Sequence, residues 1–232
     1  MRLVLSRIGE TGRRFVPGTV PVLLWVTTLL CSAGCADRQM ETRTSAWPDG
    51  SLKEEWNVRR QADGSFMREG SYRSWHLSGR VYEEGEFRGD QRAGTWRCWY
   101  DTEPAAKNSE GAYVEGEKDG PWEYWMGPHH AHVMGVSADL HPADHMCGSA
   151  DRTQSVTHAA QLEHYRLGVP HGTWLSWYPG GQIADSVGYE NGQLEGRVVS
   201  YHENGRPAAL AIYRHGVRLV GLTMWDKEGN VL

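Results

Sequence analysis

Aromatic residues and glycines recur along most of the chain at a fixed interval, and this is the dominant feature of its hydrophobic and polar pattern. Gly-x-aromatic-x-x-aromatic cores begin at Gly70, Gly94, Gly120 and Gly172, and a related core begins at Gly196 with Val198 in the first aromatic place. The final aromatics of neighbouring cores are mostly 24 residues apart. Such a period indicates an array of short structural repeats. The repeat aromatics are Trp75, Trp96, Trp99, Trp122, Trp125, Trp174, Trp177, Tyr201 and Trp225.

Each repeat is predicted to contain two short strands and two turns. Asn-Gly and Asp-Gly pairs, such as Asn191-Gly192 and Asp119-Gly120, are typical of tight hairpins because glycine accepts positive φ. Aromatics three residues apart fall on opposite faces of a regular strand. We therefore predict an all-β, single-layer antiparallel meander of about six 24-residue hairpin repeats, with one aromatic ladder on each face.

Composition supports a repeat array over a conventional core. After residue 34, only 28 of 198 residues are Leu, Ile, Val or Phe, whereas ten are Trp and ten are Tyr. So few aliphatic residues cannot form a large aliphatic core. The many aromatic residues argue against a disordered chain. The formal charge is −5, and no run of basic residues follows the first 34, so no nucleic-acid partner is expected.

The N-terminal residues have the order of a targeting signal. Four arginines lie within residues 1–14, an apolar run spans residues 20–30, and Ser32-Ala33-Gly34 precedes Cys35. The apolar run is short for a membrane span, which needs roughly 20 residues. The segment resembles a bacterial lipobox, which implies a signal peptide over residues 1–34 and acylation of Cys35 as a membrane anchor, with Ala36 favouring the outer membrane, facing periplasm or surface. An ordinary cleaved signal or an uncleaved anchor over residues 15–36 are the alternatives.

Residues 127–161 fit no repeat and are rich in histidine. The spacing of 52 residues across them equals about two repeats, so they form either a degenerate repeat or an inserted loop. Imidazole and thiolate groups suit Zn²⁺, Cu²⁺ or Ni²⁺, although a solvated polar loop is the simpler interpretation. Cys98 and Cys147 could instead form a disulfide, which would remove the thiol from any metal site. The candidate metal ligands are His129, His130, His132, His141 and His145.

The repeat core, followed by a glycine four residues later and an aromatic-x-x-Gly turn, resembles the MORN-repeat variant family, often found in bacterial proteins labelled putative antitoxins. The resemblance covers residues 47–126 and 162–232 and implies a repeat β-sheet. The remaining residues, 35–46, are predicted to be a tether. Residues 101–108 and Val198 depart from the family pattern.

Three functions are compatible with these features. The first is a membrane-anchored lipoprotein that presents the repeat sheet as a scaffold for an envelope protein or glycan. The second, which the resemblance alone implies, is an antitoxin or immunity partner, and the third is metal binding by the histidine-rich segment. No catalytic motif is present, so no enzyme activity is expected, and carboxylates such as Glu83 and Glu84 are predicted to keep a sheet face soluble.

Overall fold

A computed structural model describes residues 40–125 and 160–232, which form one antiparallel sheet of fifteen strands. The described residues contain no helix, and strands that are consecutive in the chain are mostly neighbours in the sheet. The predicted all-β antiparallel meander is therefore confirmed. The strands are β1 (Met40–Ala46), β2 (Leu52–Arg60), β3 (Phe66–Trp75), β4 (Val81–Arg88), β5 (Gln91–Trp99), β6 (Lys107–Val114), β7 (Glu117–Tyr124), β8 (Gln161–Arg166), β9 (Val169–Pro170), β10 (Gly172–Trp177), β11 (Ile183–Glu190), β12 (Gln193–Tyr201), β13 (Pro207–Arg214), β14 (Val217–Arg218) and β15 (Thr223–Met224).

Strand β1 occupies part of the segment that the sequence assigned to a tether. Residues 40–46 pair with β2 along their whole length, from Met40 opposite Arg59 to Ala46 opposite Leu52. Their side chains are mostly polar and exposed, as is usual for an edge strand that must not recruit further strands. The sheet therefore begins before Trp47, the first residue of the predicted repeat region.

Strands β7 and β8 are direct neighbours, which fixes where the repeat period is interrupted. Trp122 lies opposite Glu163, and the amide of Ala160 donates to the carbonyl of Tyr124 at 2.7 Å. No described strand lies between them. Residues 126–159 lie outside the described residues, so their interpretation as an inserted loop or a degenerate repeat stays a prediction.

The glycine of each Gly-x-aromatic core and the glycine of each tight turn both adopt a positive φ. Gly94 has a φ of 65°, next to an irregularity in the β4–β5 register, and Gly192 has a φ of 80° behind Asn191 at 49°. Consecutive positive φ values define the primed hairpin turn that matches strand twist. The fixed glycine landmarks in the sequence are therefore conformational requirements.

The largest fully buried side chains are two tryptophans that lie flat on glycines of the preceding strand. A Cβ atom on Gly85 would be 2.2 Å from a ring atom of Trp96, and one on Gly111 would be 2.1 Å from a ring atom of Trp122. Both indoles have no exposed surface. Their ring N–H groups donate to the carbonyls of Glu86 (3.1 Å) and Ala112 (3.0 Å). The sheet thus forms a core by packing rings directly on its own backbone.

We predict that Gly111→Ala destabilises the protein by about 1–3 kcal/mol, because the new methyl overlaps the indole of Trp122. Gly221→Ala is the matched control, since a Cβ there meets no atom within 4 Å, and it should change stability by no more than about 0.5 kcal/mol. Chemical denaturation followed by circular dichroism measures both changes. Equal stabilities for the two variants would show that packing of the Trp122 ring does not depend on Gly111.

Candidate functional site

The sheet has two chemically different faces. We call the face that carries Tyr72, Trp96, Trp122 and Trp174 the indole face, and the opposite face, which carries Arg73, Arg97 and Leu175, the ladder face. The second aromatic of each core comes three residues after the first, which places it on the ladder face. The predicted separation of the two aromatic ladders follows from this register.

Cationic side chains cover the aromatic rings of the indole face in the first half of the sheet. The guanidinium of Arg68 lies 4.2 Å from the ring centroid of Phe87, and that of Arg92 lies 3.8 Å from Trp96. The ammonium of Lys118 lies 4.7 Å from Trp122. Such contacts contribute roughly 0.5–2 kcal/mol each. Because Trp96 and Trp122 are also fully buried, these rings are structural and are not open to a ligand.

Two carboxylates on the indole face are buried, contrary to the expectation that acidic strand residues are solvated. Glu83 is 6% exposed and accepts a hydrogen bond from Arg92 at 2.5 Å. Burial raises the pKa of Glu83, and the charge of Arg92 partly opposes that effect. Glu84, its neighbour on the other face, conforms to the expectation and pairs with Arg73 at 2.7 Å.

Glu163 replaces the glycine on which a tryptophan would lie, and its side chain is satisfied by tyrosines. It is 2% exposed, and the hydroxyl of Tyr165 donates to it at 2.7 Å. The ammonium of Lys118 donates to the hydroxyl of Tyr124 at 2.7 Å. Burial lowers the pKa of Lys118 and raises the pKa of both tyrosines. These groups form a closed internal network, which makes them poor candidates for a binding site.

One straight row of opposed residues crosses the ladder face from β2 to β13, and it changes character halfway. From Glu55 to Glu110 its members alternate in charge, with ion pairs of 2.7 Å between Arg73 and Glu84 and 3.3 Å between Arg97 and Glu110. Exposed pairs of this kind contribute only roughly 0–1 kcal/mol each. The row consists of Glu55, Arg73, Glu84, Arg97, Glu110, Glu123, Leu162, Leu175, Ser186, Val199 and Leu210.

The second half of this row is mainly apolar, and the sequence composition shows the same asymmetry. Of the 28 Leu, Ile, Val and Phe residues after residue 34, 17 fall in residues 160–232 and only seven in residues 40–125. This row of the ladder face is therefore charged over the first half of the sheet and mainly aliphatic over the second, where Val199 is buried.

The second aromatics of the repeat cores form a row along one end of the strands on the ladder face. All six are half-buried, and they lie on every second strand, which spaces them by roughly 9.5 Å. The aromatic row consists of Trp75, Trp99, Trp125, Trp177, Tyr201 and Trp225. Trp47 and Trp225 belong to terminal units, and they are nevertheless half-buried like the others.

A contact between successive repeats holds the backbone beneath the aromatic row, and sequence analysis missed it. The side chain after the second aromatic bonds to the backbone carbonyl of the second aromatic in the next repeat. Examples are His76 to Trp99 (3.0 Å) and Tyr100 to Trp125 (2.7 Å). A polar aromatic or histidine directly after each second aromatic was the available sequence signal.

Most of the other predicted site residues lie outside the described residues. These are Cys35, Cys147 and the five candidate histidine ligands. Cys98 is fully buried and disulfide-bonded, while its pairing with Cys147 stays a prediction. Residues 40–125 and 160–232 contain no group of three or more His, Cys, Asp or Glu that could hold a metal ion. In the same ranges there is no helix long and apolar enough to cross a membrane.

The fold and its two faces define a repeat-built open β-sheet protein, in which the units of Trp96 and Trp122 share the same ring-on-backbone packing. Residues 170–191 match the family model of the MORN repeat variant. This part of the chain thus carries a MORN-type repeat, which confirms the resemblance seen in the sequence. No curated protein matches the chain.

We predict that the protein unfolds in alkali as its buried tyrosines ionise. Burial raises the pKa of Tyr72, Tyr100 and Tyr113 to about 12, above the value of about 10 for an exposed tyrosine. Because the folded state holds these protons more tightly, their stabilising effect is complete below pH about 10 and is lost as the pH rises towards 12. The lowered pKa of Lys118 has the opposite effect on stability. It destabilises the folded state at lower pH, and this penalty disappears as the pH approaches the ordinary lysine pKa of about 10.4.

Tyr113→Phe removes one of these protons and should move the alkaline unfolding midpoint to higher pH. Parallel pH titrations of circular dichroism and tyrosinate absorbance check this result. A midpoint that stays in place would mean that ionisation of Tyr113 does not drive the transition.

Proposed function

We propose that this protein is a membrane-anchored lipoprotein of the bacterial cell envelope whose repeat sheet is a scaffold for an envelope glycan. A repeat-based binding role fits the MORN repeats and the β-sheet. The observation that carries the finer proposal is the half-exposed aromatic row beside a charged ladder in the first half of the sheet. The proposal assigns the protein no catalytic role.

The first half of the aromatic row has the two kinds of group that a glycan requires. The rings of Trp75, Trp99 and Trp125 offer apolar surface for the C–H faces of sugars. Arg97 and Glu110 lie beside them and offer donors and acceptors for hydroxyl groups. A ligand with a regular chemical repeat would meet similar groups on every second strand.

Lys107 shows how the rings and the charges are combined. Its ammonium lies 4.5 Å from the ring of Trp125 and pairs with Glu110 at 2.5 Å. One side of this ring is therefore held by a cation that is itself held by a carboxylate. This arrangement fixes the orientation of the ring, which reduces the entropy lost when a ligand stacks on it.

A protein partner is the alternative occupant of the same surface, since aromatic and arginine residues are also frequent anchors in protein interfaces. The antitoxin and metal-binding hypotheses stay predictions from the sequence. No observation in the described part of the chain favours either of them.

We predict that Trp99→Ala weakens binding of the full chain to purified envelope glycan about 5- to 30-fold, because loss of one stacked ring removes roughly 1–2 kcal/mol. Co-sedimentation with isolated peptidoglycan and titration with soluble envelope polysaccharide measure the effect. Leu77→Ala is the control, as this exposed side chain lies outside the aromatic row. If neither glycan is bound by the unaltered chain while an envelope protein is captured through Trp99, the protein alternative replaces the glycan proposal.

A second prediction tests the anchor. Cys35→Ser should move the chain from the membrane fraction to the soluble fraction, because acyl chains contribute roughly 0.8 kcal/mol for each buried CH₂ group. Fractionation followed by immunoblotting measures the distribution, with Ser32→Ala as a control at a small-residue position. Retention of the serine variant in the membrane would contradict acylation at Cys35.

A further inference from the structure

Turns of successive repeats lie side by side at the end of the strands that carries the aromatic row, and polar side chains of one turn reach the next. Ser78 donates to the carboxylate of Asp101 at 2.5 Å. The guanidinium of Arg80 donates to Asp101 and to Glu103, in each case at 3.1 Å. An arginine of the earlier turn therefore fills the space between these two turns.

The turn at residues 202–206 fills the space before its successor in the same way. The side-chain amide of Asn204 donates to the backbone carbonyl of Lys227 at 2.9 Å. The guanidinium of Arg206 donates to the carbonyls of Lys227 at 3.3 Å and Glu228 at 2.5 Å. In both turns the arginine directly follows the turn glycine. The acceptors differ, but a guanidinium occupies the space in both cases.

The turn at residues 178–182 has the same backbone hydrogen bonds but lacks the arginine. Its first amide donates to the carbonyl of Gln182 at 2.8 Å, as the first amides of the other two turns do to their arginines. Gln182 has the arginine position, and Gly180 has the position of Ser78 and Asn204. A crevice of about 540 Å³ remains between this turn and the next. It is lined by Tyr178, Pro179, Gly180, Gly181, Gln182 and Glu203.

The crevice contains the kinds of acceptor that bind a guanidinium in the two filled spaces. Glu203 has the same position in its turn as Asp101, so its carboxylate corresponds to the one that Arg80 contacts. The backbone carbonyls of Glu203 and Asn204 correspond to the two that Arg206 contacts. Glu203 is exposed and forms no ion pair with a residue of the described ranges. The crevice is thus complementary to a cation that the chain itself does not supply there.

We propose that this crevice binds the guanidinium group of an arginine side chain from a protein partner. The group donates to the carboxylate of Glu203 and to the neighbouring backbone carbonyls, as Arg80 and Arg206 do in the filled spaces. Tyr178 adds an aromatic ring for the cation, and the hydrogen bond from its hydroxyl to the carbonyl of Tyr201 at 2.7 Å fixes that ring.

The planar fork of a guanidinium suits several acceptors in one crevice better than an ammonium does. The site lies in the second half of the sheet and does not depend on the proposed glycan site.

Titration of the full chain in detergent micelles with N-acetyl-arginine N-methylamide tests the site. Amide NMR signals of Gly180, Gly181 and Gly205 should shift saturably, with millimolar affinity because one exposed charged contact is weak. The citrulline analogue has the same shape without the charge and should cause no saturable shift. The lysine analogue should bind about fivefold more weakly than the arginine probe, or weaker still.

Gln182→Arg is the decisive variant, because it restores the side chain that fills the other two spaces. The new guanidinium should pair with Glu203 and abolish probe binding without lowering the melting temperature. Glu203→Gln should weaken probe binding about fivefold or more, since it removes the charge that the guanidinium meets. Glu190→Gln is the matched control, because this exposed carboxylate lies at the opposite end of the strands, and it should bind the probe normally.

Three results would overturn the site. They are the absence of saturable shifts at the three glycines in the unaltered chain, equal binding of the arginine and citrulline analogues, and unchanged binding by Gln182→Arg. A lysine analogue that binds as tightly as the arginine probe would contradict recognition of a planar guanidinium.

Discussion

The packing of an indole ring on the bare backbone of the neighbouring strand is the interaction on which this fold depends. A single sheet has no second layer against which to bury apolar side chains, yet Trp96 and Trp122 have no exposed surface. This is achieved because Gly85 and Gly111 leave room for a ring to lie flat. The ring N–H then donates to a carbonyl of the strand beneath, so the one polar group of the buried indole is satisfied.

Once the rings lie on the strands, their outer surfaces still need cover, and the charged residues of the indole face provide it. Arg92 stacks on Trp96 while it also neutralises the buried Glu83. One cation thus completes the ring's burial and compensates a carboxylate that would otherwise be costly to desolvate. The chain can therefore hold a stable core with few aliphatic residues, which leaves its aliphatic residues free to concentrate in the second half of the sheet.

The repeat period, the tight turns and the antiparallel meander could be predicted because each depends on local sequence, through glycine at positive φ and aromatics at strand spacing. Strand β1 could not be predicted, since an exposed edge strand has no aromatic or glycine landmark. Burial of Glu83 and Glu163 was also missed, because each carboxylate is compensated by groups such as Arg92 or Tyr124 that only strand pairing brings close. The row that contains Leu175 could not be predicted either, because strand register decides which residues lie opposite each other. The irregularities beside each core shift that register.

The repeat of β8 and β10 shows which part of the core interaction is essential. Glu163 takes the place of the glycine, so Trp174 cannot lie on bare backbone, and this ring is only half-buried. Its N–H nevertheless donates to the carbonyl of His164 at 3.0 Å, as in the two earlier repeats. The hydrogen bond to the preceding strand therefore persists when flat packing is lost. In the next repeat Val198 replaces the indole altogether, and the strands still pair in the same register. Backbone pairing consequently propagates the sheet, and the rings determine how much stability each repeat contributes.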